Sequence, residues 1–312
     1  MNIIFMGTPD FAVEALKRLY EKHNILAVFT QPDKPKGRGY AMMPPPVKVL
    51  ALEHGTEVLQ PVSLRREAGR EYLARIRELA PDCIVVAAYG QILPGELLDI
   101  PRLGCVNIHG SLLPKLRGAA PIQWSVLGCD RFTGITTMLM NEGLDTGDIL
   151  EQVKTEIGQN ETAAELFDRM AAMGGELVLH TLDELEKGNI TPRSQESVEE
   201  EPTYAPKITM DMCPINFDMD VFKVHRHILG LSDWPCAYTY YKGKRLKVYR
   251  SEIVSEKAPG KAPGTLLSKS CFDIACSNGV IRFTEVQSEG GKRMSADAYL
   301  RGNPLSGDEV FG

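Results

Sequence analysis

An amide, an imidazole and a carboxylate stand close together in the segment that runs from residue 105 to residue 148. Asn107 and His109 end an apolar run, and Asp145 follows in a glycine-flanked loop. An amide can stabilise an oxyanion, an imidazole can move a proton, and a carboxylate can orient and charge the imidazole. Acyl transfer to an amine requires these three tasks, so the segment predicts that chemistry.

The spacing of these residues leaves alternatives open. Asn107 and His109 are two positions apart, so on a β-strand they project from the same face. Taken alone, the pair is as well explained by an ordinary hydrogen-bonded histidine at a strand end. The loop 111–118, with polar ends, a proline and a glycine around two leucines, favours a fixed turn that holds something against the sheet. Asp145 can also be read as a turn residue before Gly147.

The first half of the chain alternates apolar runs with amphipathic helical patterns, which predicts an α/β fold with a mostly parallel sheet. Runs such as 2–6 and 83–88 suit buried parallel strands. Such sheets bind ligands at the carboxyl ends of their strands, which is where Asn107 and His109 would lie. The turn 7–11 lacks a GxGxxG fingerprint, and this argues against a nicotinamide cofactor.

The 312 residues are enough for two domains. We predict a catalytic domain over 1–188, an exposed polar linker over 189–206, and a C-terminal domain over 207–312. The C-terminal domain has short alternating segments separated by turns, which predicts a small, OB-like β-barrel.

Composition excludes several classes of protein. No apolar run approaches the ~18 residues of a membrane span, and the N-terminus is too short and uncharged for a signal peptide. The seven cysteines form no CxxC pair, which favours reduced thiols in a cytoplasmic protein without a metal site. We expect a monomer, because nothing in the sequence marks an obligate interface.

Charge is distributed unevenly along the chain. The formal net charge is −6, but residues 1–206 carry 20 basic and 29 acidic side chains, whereas residues 207–312 carry 15 and 12. A basic C-terminal part suggests an anionic partner, although compositional drift explains the charges equally well.

These residues resemble the folate-dependent formyltransferases. Asn107, His109 and Asp145 fall on the catalytic positions of that family, and 111–114 matches its Ser-Leu-Leu-Pro signature. The resemblance covers nearly the whole chain, through the segments 5–11, 30–34, 109–121, 143–148, 204–208 and 234–239.

The resemblance implies a Rossmann-like catalytic domain and a reaction. The formyl group of 10-formyltetrahydrofolate, a cosubstrate, would move to the α-amino group of methionine on initiator tRNA, without a metal. Our hypothesis is that Asn107 and a protonated His109 stabilise the oxyanion while Asp145 holds and charges His109. By resemblance, the folate would lie against Tyr89, Gly90, Ile92, Leu93, Ser111, Leu112, Leu113, Pro114, Asn141, Gly143 and Leu144.

Basic residues in two regions suggest contacts with tRNA. In the resembling family the loop 31–46 enters the acceptor stem, and the segment 242–250 is dense in basic residues. A solvated loop and a solvated hairpin are the alternatives. The tRNA-binding residues we predict are Lys34, Lys36, Arg38, Lys207, Lys242, Lys244, Arg245 and Lys247. Leu229 and Asp233 depart from the family pattern, so any tRNA contact from that helix is in doubt.

Two alternative functions remain at this stage. The first keeps the folate chemistry but uses a sugar amine, a nucleotide-linked amine or water as the acceptor. The second is a non-catalytic RNA-binding protein that has kept the fold. The basic second domain argues against the first alternative, and the intact Asn107, His109 and Asp145 argue against the second.

Overall fold

The computed structural model describes residues 1–36, 41–65, 67–307 and 309–312. The chain forms two compact units. The first comprises Met1–Gly118, Gly134–Thr155 and Phe167–Tyr204, and the second comprises Ala119–Thr133, Glu156–Leu166 and Ala205–Gly312. The chain therefore passes between the units several times.

The elements are numbered in chain order. The strands are β1 Asn2–Gly7, β2 Asn24–Phe29, β3 Lys34–Lys36, β4 Ala41–Met43, β5 Glu57–Leu59, β6 Cys83–Ala87, β7 Cys105–His109, β8 Arg117–Gly118, β9 Phe132–Leu139, β10 Asp148–Glu156, β11 Tyr204–Ala205, β12 Ala237–Tyr241, β13 Lys244–Ser255, β14 Asp273–Ala275, β15 Val280–Ser288 and β16 Met294–Ser295. The α-helices are α1 Asp10–Lys22, α2 Pro46–Glu53, α3 Arg70–Leu79, α4 Gly95–Leu98, α5 Pro121–Leu127, α6 Ala163–Lys187, α7 Val221–Leu231 and α8 Ala296–Gly302. Single turns of 3₁₀-helix cover Glu67–Gly69, Gln195–Ser197 and Met210–Met212.

Within the described residues, a sheet with the strand order β10-β9-β7-β6-β1-β2-β5 forms the centre of the first unit. β1 pairs in parallel with β2 and β6, and β6 pairs in parallel with β7, whereas β7 and β9 are antiparallel. Every residue of β6 is buried, as its continuous β-branched run predicts. The prediction of a mostly parallel α/β sheet is confirmed.

The parallel pairing brings the carboxyl ends of β1, β6 and β7 to one edge of the sheet. Gly7 ends β1 where α1 begins. A Cβ at this position would lie 2.7 Å from Ala12 Cβ and 3.0 Å from Ala87 O. A side chain would therefore push α1 and β6 apart, and glycine keeps this edge compact.

The second unit contains an antiparallel sheet with the order β12-β13-β15-β14, and β16 pairs with β15. A two-residue turn with positive φ at Lys242 (49°) and Gly243 (71°) joins β12 to β13, as primed hairpin turns require. Tyr241, Phe272 and Phe283 pack in its core. No pairing among the described strands joins β12 to β14, so the antiparallel sheet is confirmed and the closed, OB-like barrel is not.

In the part of the chain that the structure describes, we find no helix that is both long and apolar enough to span a membrane.

Candidate active site

Asn107 and His109 lie at the carboxyl end of β7 and project from the same face of the strand. β7 runs between β6 and β9, and both polar side chains are buried with it: Asn107 is 8% exposed and His109 is 5% exposed. Buried polar groups are costly unless hydrogen bonds replace their contacts with water. Their partners therefore decide what these two residues can do.

The contacts of His109 fix the position of its proton. The Nε2 atom lies 3.0 Å from the carbonyl oxygen of Leu116. A carbonyl only accepts, so Nε2 carries the hydrogen and donates it. The Nδ1 atom faces Asp145 Oδ2 at 3.7 Å, which is longer than a hydrogen bond. Nδ1 is therefore the nitrogen that is available for proton transfer.

The protonation state of His109 differs from the sequence-based expectation. Burial lowers the pKa of His109, and this effect outweighs the Asp145 carboxylate and the Leu116 carbonyl, which both raise it. The imidazole is therefore neutral near neutral pH in the substrate-free protein, with a lone pair on Nδ1. The hypothesis from the sequence gave His109 a proton, whereas burial favours the neutral form in the substrate-free protein. The cost of desolvating the charge cannot be read from spacing.

Asp145 is held in place by the backbone around it. Its Oδ2 atom accepts a hydrogen bond of 2.8 Å from the Gly118 amide, and its side chain is 15% exposed. Its backbone is left-handed, with φ of 51°, an uncommon conformation for a residue with a Cβ. Two residues later, a Cβ on Gly147 would collide with Leu139 O. The loop thus packs tightly against the end of β9 and aims the carboxylate at His109.

The amide of Asn107 is the polar group of this site that remains available. Among the residues that the structure describes, its side chain has no protein hydrogen-bond partner, although it is only 8% exposed. An amide offers two hydrogens for donation. A donor held at a strand end beside an imidazole has the arrangement of an oxyanion-binding group.

The turn after β7 uses its polar groups internally. The Ser111 hydroxyl donates to Lys115 O at 2.6 Å, and Thr136 donates its hydroxyl hydrogen to Ser111 O at 2.6 Å. Leu113 and Pro114 are buried, while Leu112 is half-buried. Ser111 therefore serves as a turn hydroxyl, because its hydrogen is already donated to a carbonyl of the same turn.

The residues predicted to line a folate site differ in exposure. The side chains of Tyr89 and Leu93 are buried in the core of the first unit, so Tyr89 could contribute only through its backbone. Ile92 and Leu144 are 55% and 59% exposed. The remaining positions, Gly90, Asn141 and Gly143, are exposed loop residues.

Two of these loops touch each other. The side chain of Glu142 packs directly on Gly95, where a Cβ would collide with its carboxylate. Asn141 braces its own loop, because its Oδ1 accepts from the Gly143 amide at 3.0 Å and from the Thr146 hydroxyl at 2.8 Å. The loops that carry Ile92 and Leu144 are therefore neighbours.

Sequence reasoning missed two side chains beside this site, Arg117 and Gln195. Both are buried, with exposures of 9% and 4%. Arg117 stands in the loop that the sequence singles out, but Gln195 lies in the predicted exposed linker, 50 positions from Asp145. No local pattern marks a glutamine as buried, so only the fold reveals it.

The basic residues occupy two separate hairpins. Lys34 is exposed on β3, which pairs with β4, and Lys36 ends that strand. Arg38 lies outside the described residues. In the second unit, Arg245 and Lys247 point away from the core, opposite to Leu246 and Val248. Lys207, Lys242 and Lys244 are exposed.

The Arg245 guanidinium lies 4.5 Å from the centre of the Tyr238 ring. Lys242 Nζ lies 3.7 Å from Glu309 Oε1 and 3.3 Å from Pro304 O. The β12–β13 hairpin therefore presents an outward basic face, from which Lys242 is partly drawn away. Among the described residues, no group of histidine, cysteine and carboxylate side chains could hold a metal ion.

Comparison with known proteins places the chain in a family. A family model described as formyl transferase matches residues 1–182, and a model described as formyl transferase, C-terminal domain, matches residues 207–304. The chain belongs to the formyl transferase family, as the motif around Asn107 and His109 indicates.

Relatives match over their full length. The methionyl-tRNA formyltransferase of Clostridium novyi is 43% identical over 313 residues, covering 100% of both chains. That of Caldanaerobacter subterraneus subsp. tengcongensis is 46% identical over 307 residues, covering 98% of both. A solved structure of an N-formyltransferase from Helicobacter canadensis, in complex with folinic acid and dTDP-3-aminofucose, is 19% identical with a TM-score of 0.69 and covers 92% of this chain and 99% of its own. The last likeness concerns the fold alone.

Proposed function

We propose that this protein transfers the formyl group of 10-formyltetrahydrofolate to the α-amino group of methionine carried by initiator tRNA, for the initiation of translation. The observation that carries the proposal is the identity of 43–46% to methionyl-tRNA formyltransferases across their whole length, second domain included. The basic outward face of the β12–β13 hairpin favours a large anionic acceptor.

The amide of Asn107 supplies the oxyanion-binding donor. Attack of an amine on a formyl carbon moves negative charge onto the formyl oxygen. The Asn107 amide has no protein partner among the described residues and is fixed on β7, so it can donate without first breaking another hydrogen bond. One such donor contributes roughly 3–4 kcal/mol to stabilising the transition state.

His109 and Asp145 handle the proton. As the nitrogen–carbon bond forms, the attacking amine must lose a proton. Nδ1 of His109 is unprotonated and stands 3.7 Å from Asp145 Oδ2, so the proton meets two acceptors side by side. Once Nδ1 has taken the proton, the imidazolium is stabilised by the carboxylate and adds positive charge near the oxyanion. A water bound to the Asp145 carboxylate completes the relay to the departing nitrogen.

The exposed side chains fit a flat aromatic cosubstrate. When bound, the folate supplies the formyl group in an activated form. Ile92 and Leu144, each more than half exposed, stand on loops that touch through Glu142 and Gly95. Large apolar side chains on adjoining loops suit a ring with an apolar face. Ser111, Leu113 and Pro114 would then pack behind the side chains that contact the ring.

Binding of tRNA is assigned to the basic hairpins. The outward face of β12–β13 offers Arg245 and Lys247. Lys207, Lys242 and Lys244 are exposed elsewhere in the second unit, and Lys34, Lys36 and Arg38 belong to the loop 31–46. Such contacts bind phosphates without reading sequence. The domain boundaries at 188 and 207, the monomeric state and a cytoplasmic location stay predictions of the same proposal.

A formyl-transfer assay tests the proposal. Purified protein is incubated with 10-formyltetrahydrofolate and methionyl initiator tRNA, and uncharged tRNA and free methionine serve as controls. We expect folate-dependent formylmethionyl-tRNA that is absent from the controls. Folate binding without transfer would move the acceptor to a small amine or to water, and absence of both would overturn the assignment of the site.

A further inference from the structure

A buried glutamine links the loop of Asp145 to the loop after β7. Gln195 Nε2 donates to the carbonyl oxygens of Asp145 at 2.9 Å and Gly147 at 2.7 Å. Its Oε1 accepts from Arg117 Nε at 3.0 Å and Nη2 at 2.7 Å. All four hydrogen-bonding positions of the amide are thus filled.

The orientation of this amide is determined by its neighbours. The Arg117 guanidinium can only donate, so it must face the oxygen, and the two carbonyls can only accept, so they must face the nitrogen. Gln195 is 4% exposed and Arg117 is 9% exposed, which keeps water from replacing either set of bonds. Turning the amide over would place like groups against each other on both sides.

The residues on either side of Arg117 hold the two side chains that carry the chemistry. Leu116 O accepts from His109 Nε2, and the Gly118 amide donates to Asp145 Oδ2. Arg117 itself reaches the backbone of Asp145 through Gln195. One tripeptide therefore fixes the imidazole, the carboxylate and the main chain that bears the carboxylate.

The backbone of Asp145 needs such support. A left-handed conformation at a residue with a Cβ costs energy and persists only where surrounding contacts determine it. The two bonds from Gln195 hold carbonyls on both sides of Thr146 and so fix the turn in which Asp145 has φ of 51°. Without them, the carboxylate would keep only the bond from Gly118 and could swing away from Nδ1.

We propose that Gln195, buttressed by Arg117, is a positioning residue that sets the place of the Asp145 carboxylate beside His109. The inference rests on the proposed function, because it assigns Gln195 a task in that same reaction. Displacement of a catalytic group by about 1 Å lowers rates by about a hundredfold, so the effect should fall on kcat rather than on substrate binding.

Two variants separate positioning from folding. Gln195→Met removes every bond of the amide. Gln195→Glu keeps an acceptor for Arg117 but sets a carboxylate oxygen against the two carbonyls, so it breaks only the bonds to the Asp145 loop. Gln287→Met is the matched control, because Gln287 also bridges two groups, accepting from Tyr249 Oη at 2.7 Å and donating to Gly291 O at 2.9 Å, in the other unit.

The experiment measures kcat, KM for folate and tRNA, the pH profile of kcat/KM, and thermal unfolding of the full-length protein. We expect kcat to fall about tenfold to a hundredfold in both Gln195 variants, with KM changed less than about threefold and kcat unchanged in Gln287→Met. In Gln195→Met the acid limb of the profile should move to lower pH, because a displaced Asp145 raises the pKa of His109 less. If Gln195→Met does not fold, Gln195→Glu still gives the kcat reading, whereas its added carboxylate makes its acid limb no guide to the position of Asp145.

Unchanged kcat in folded Gln195→Glu, or unchanged kcat and an unchanged acid limb in folded Gln195→Met, would overturn the inference, as would a loss of kcat that merely follows the folded fraction. Asp145→Asn, measured in parallel, separates this failure from that of the proposed function. If the wild-type protein transfers no formyl group, the proposed function has failed. If the wild-type protein is active and Asp145→Asn keeps full rate, the catalytic role of Asp145 has failed, and the role of Gln195 fails with it while the proposed function stands.

Discussion

Each unit of the molecule buries a histidine, and the two histidines differ in their ability to accept a proton during a reaction. His109 in the first unit is 5% exposed and His225 in the second is 1% exposed, and burial lowers the pKa of both. His225 Nε2 donates to Gln159 O at 3.2 Å, and its Nδ1 accepts from the Ser251 hydroxyl at 2.9 Å. Both of its nitrogens are occupied by neutral groups.

His109 differs from His225 in the surroundings of its Nδ1 atom. Its Nε2 is satisfied in the same way, by a carbonyl, but its Nδ1 faces the Asp145 carboxylate without a hydrogen bond. Protonation of His225 would break the hydrogen bond that its Nδ1 accepts and would bury a charge. Burial accordingly lowers the pKa of His225 to about 4. An open Nδ1 beside a carboxylate can accept one during a reaction. Burial alone thus makes a structural histidine, and the unpaired nitrogen next to a charge makes a reactive one.

The largest expected effect tests this contrast directly. We expect His109→Ala and Asp145→Ala to lower kcat by about a thousandfold or more, because proton transfer and electrostatic stabilisation are lost together. tRNA affinity, measured by filter binding, should stay nearly unchanged. His225→Gln is the control and should keep kcat within about threefold when folded. A full rate in either first-unit variant would remove the distinction between the two histidines.

Loss of the Asn107 amide should have the next largest effect on kcat. Asn107→Ala removes one oxyanion donor, and we expect kcat to fall by about 10²–10³ with folate affinity retained. The counterpart in the second unit is Ser251→Ala, which leaves Nδ1 of His225 unsatisfied and should lower the free energy of unfolding by about 1–3 kcal/mol at unchanged kcat. Steady-state kinetics and urea unfolding of both variants check these effects. An unchanged kcat in Asn107→Ala, or a lowered kcat in Ser251→Ala, would contradict the prediction.

The free energy of unfolding should fall in acid because of the structural histidine, His225. The folded pKa of His225, about 4, lies below its ordinary value of 6.5, so between these values the unfolded chain binds the extra proton. The contribution of His225 to stability is therefore complete above pH 6.5 and declines as the pH falls towards 4. At pH 5 the loss should be about 2 kcal/mol relative to pH 7.

His225→Gln supplies the reference for that measurement, because other groups titrate in the same range. Urea unfolding of both proteins at pH 7 and pH 5 gives the difference. An equal loss in the two proteins would mean that His225 takes up its proton in the folded protein as readily as in the unfolded chain.

The smallest effect concerns the surfaces of the second unit. We expect Arg245→Glu/Lys247→Glu to raise KM for tRNA about tenfold and to flatten its dependence on salt, because two phosphate contacts are lost. Lys257→Glu/Lys261→Glu changes the charge equally at exposed positions of the same unit and should leave KM and the salt slope as they are. Equal effects of the two pairs would mean that the hairpin affects tRNA binding only through the net charge of the unit and not through direct phosphate contacts.

Much of the first unit could be predicted because its signals are local. The run 83–88 predicts a strand buried on both faces, and the interval between Asn107 and His109 places two polar side chains on one face. Ser111 could be recognised as part of a turn. Matching motifs also indicated the family, which the comparison confirmed. The residue roles and the domain boundaries stay predictions.

The expectations that the structure does not confirm concern long-range contacts. Barrel closure needs two strands distant in sequence to pair, and alternation within each strand carries no information about that pairing. The charge of His109 depends on how many atoms surround it, so a charged imidazole was predicted where burial favours a neutral one. Gln195 reads as linker, although its amide is bonded to residues 48 and 50 positions earlier.

By itself, the sequence determined the chemical inventory of the site, the strand that carries Asn107 and His109, and the family to which the chain belongs. Residue types and short periodicities suffice for these. Tertiary structure decided which nitrogen of His109 is open, that Asp145 stands 3.7 Å from it, and that Gln195 and Arg117 hold the loop behind it. Distances of this kind depend on how segments far apart in sequence pack, since hydrogen-bond partners and desolvation arise only when the chain has folded.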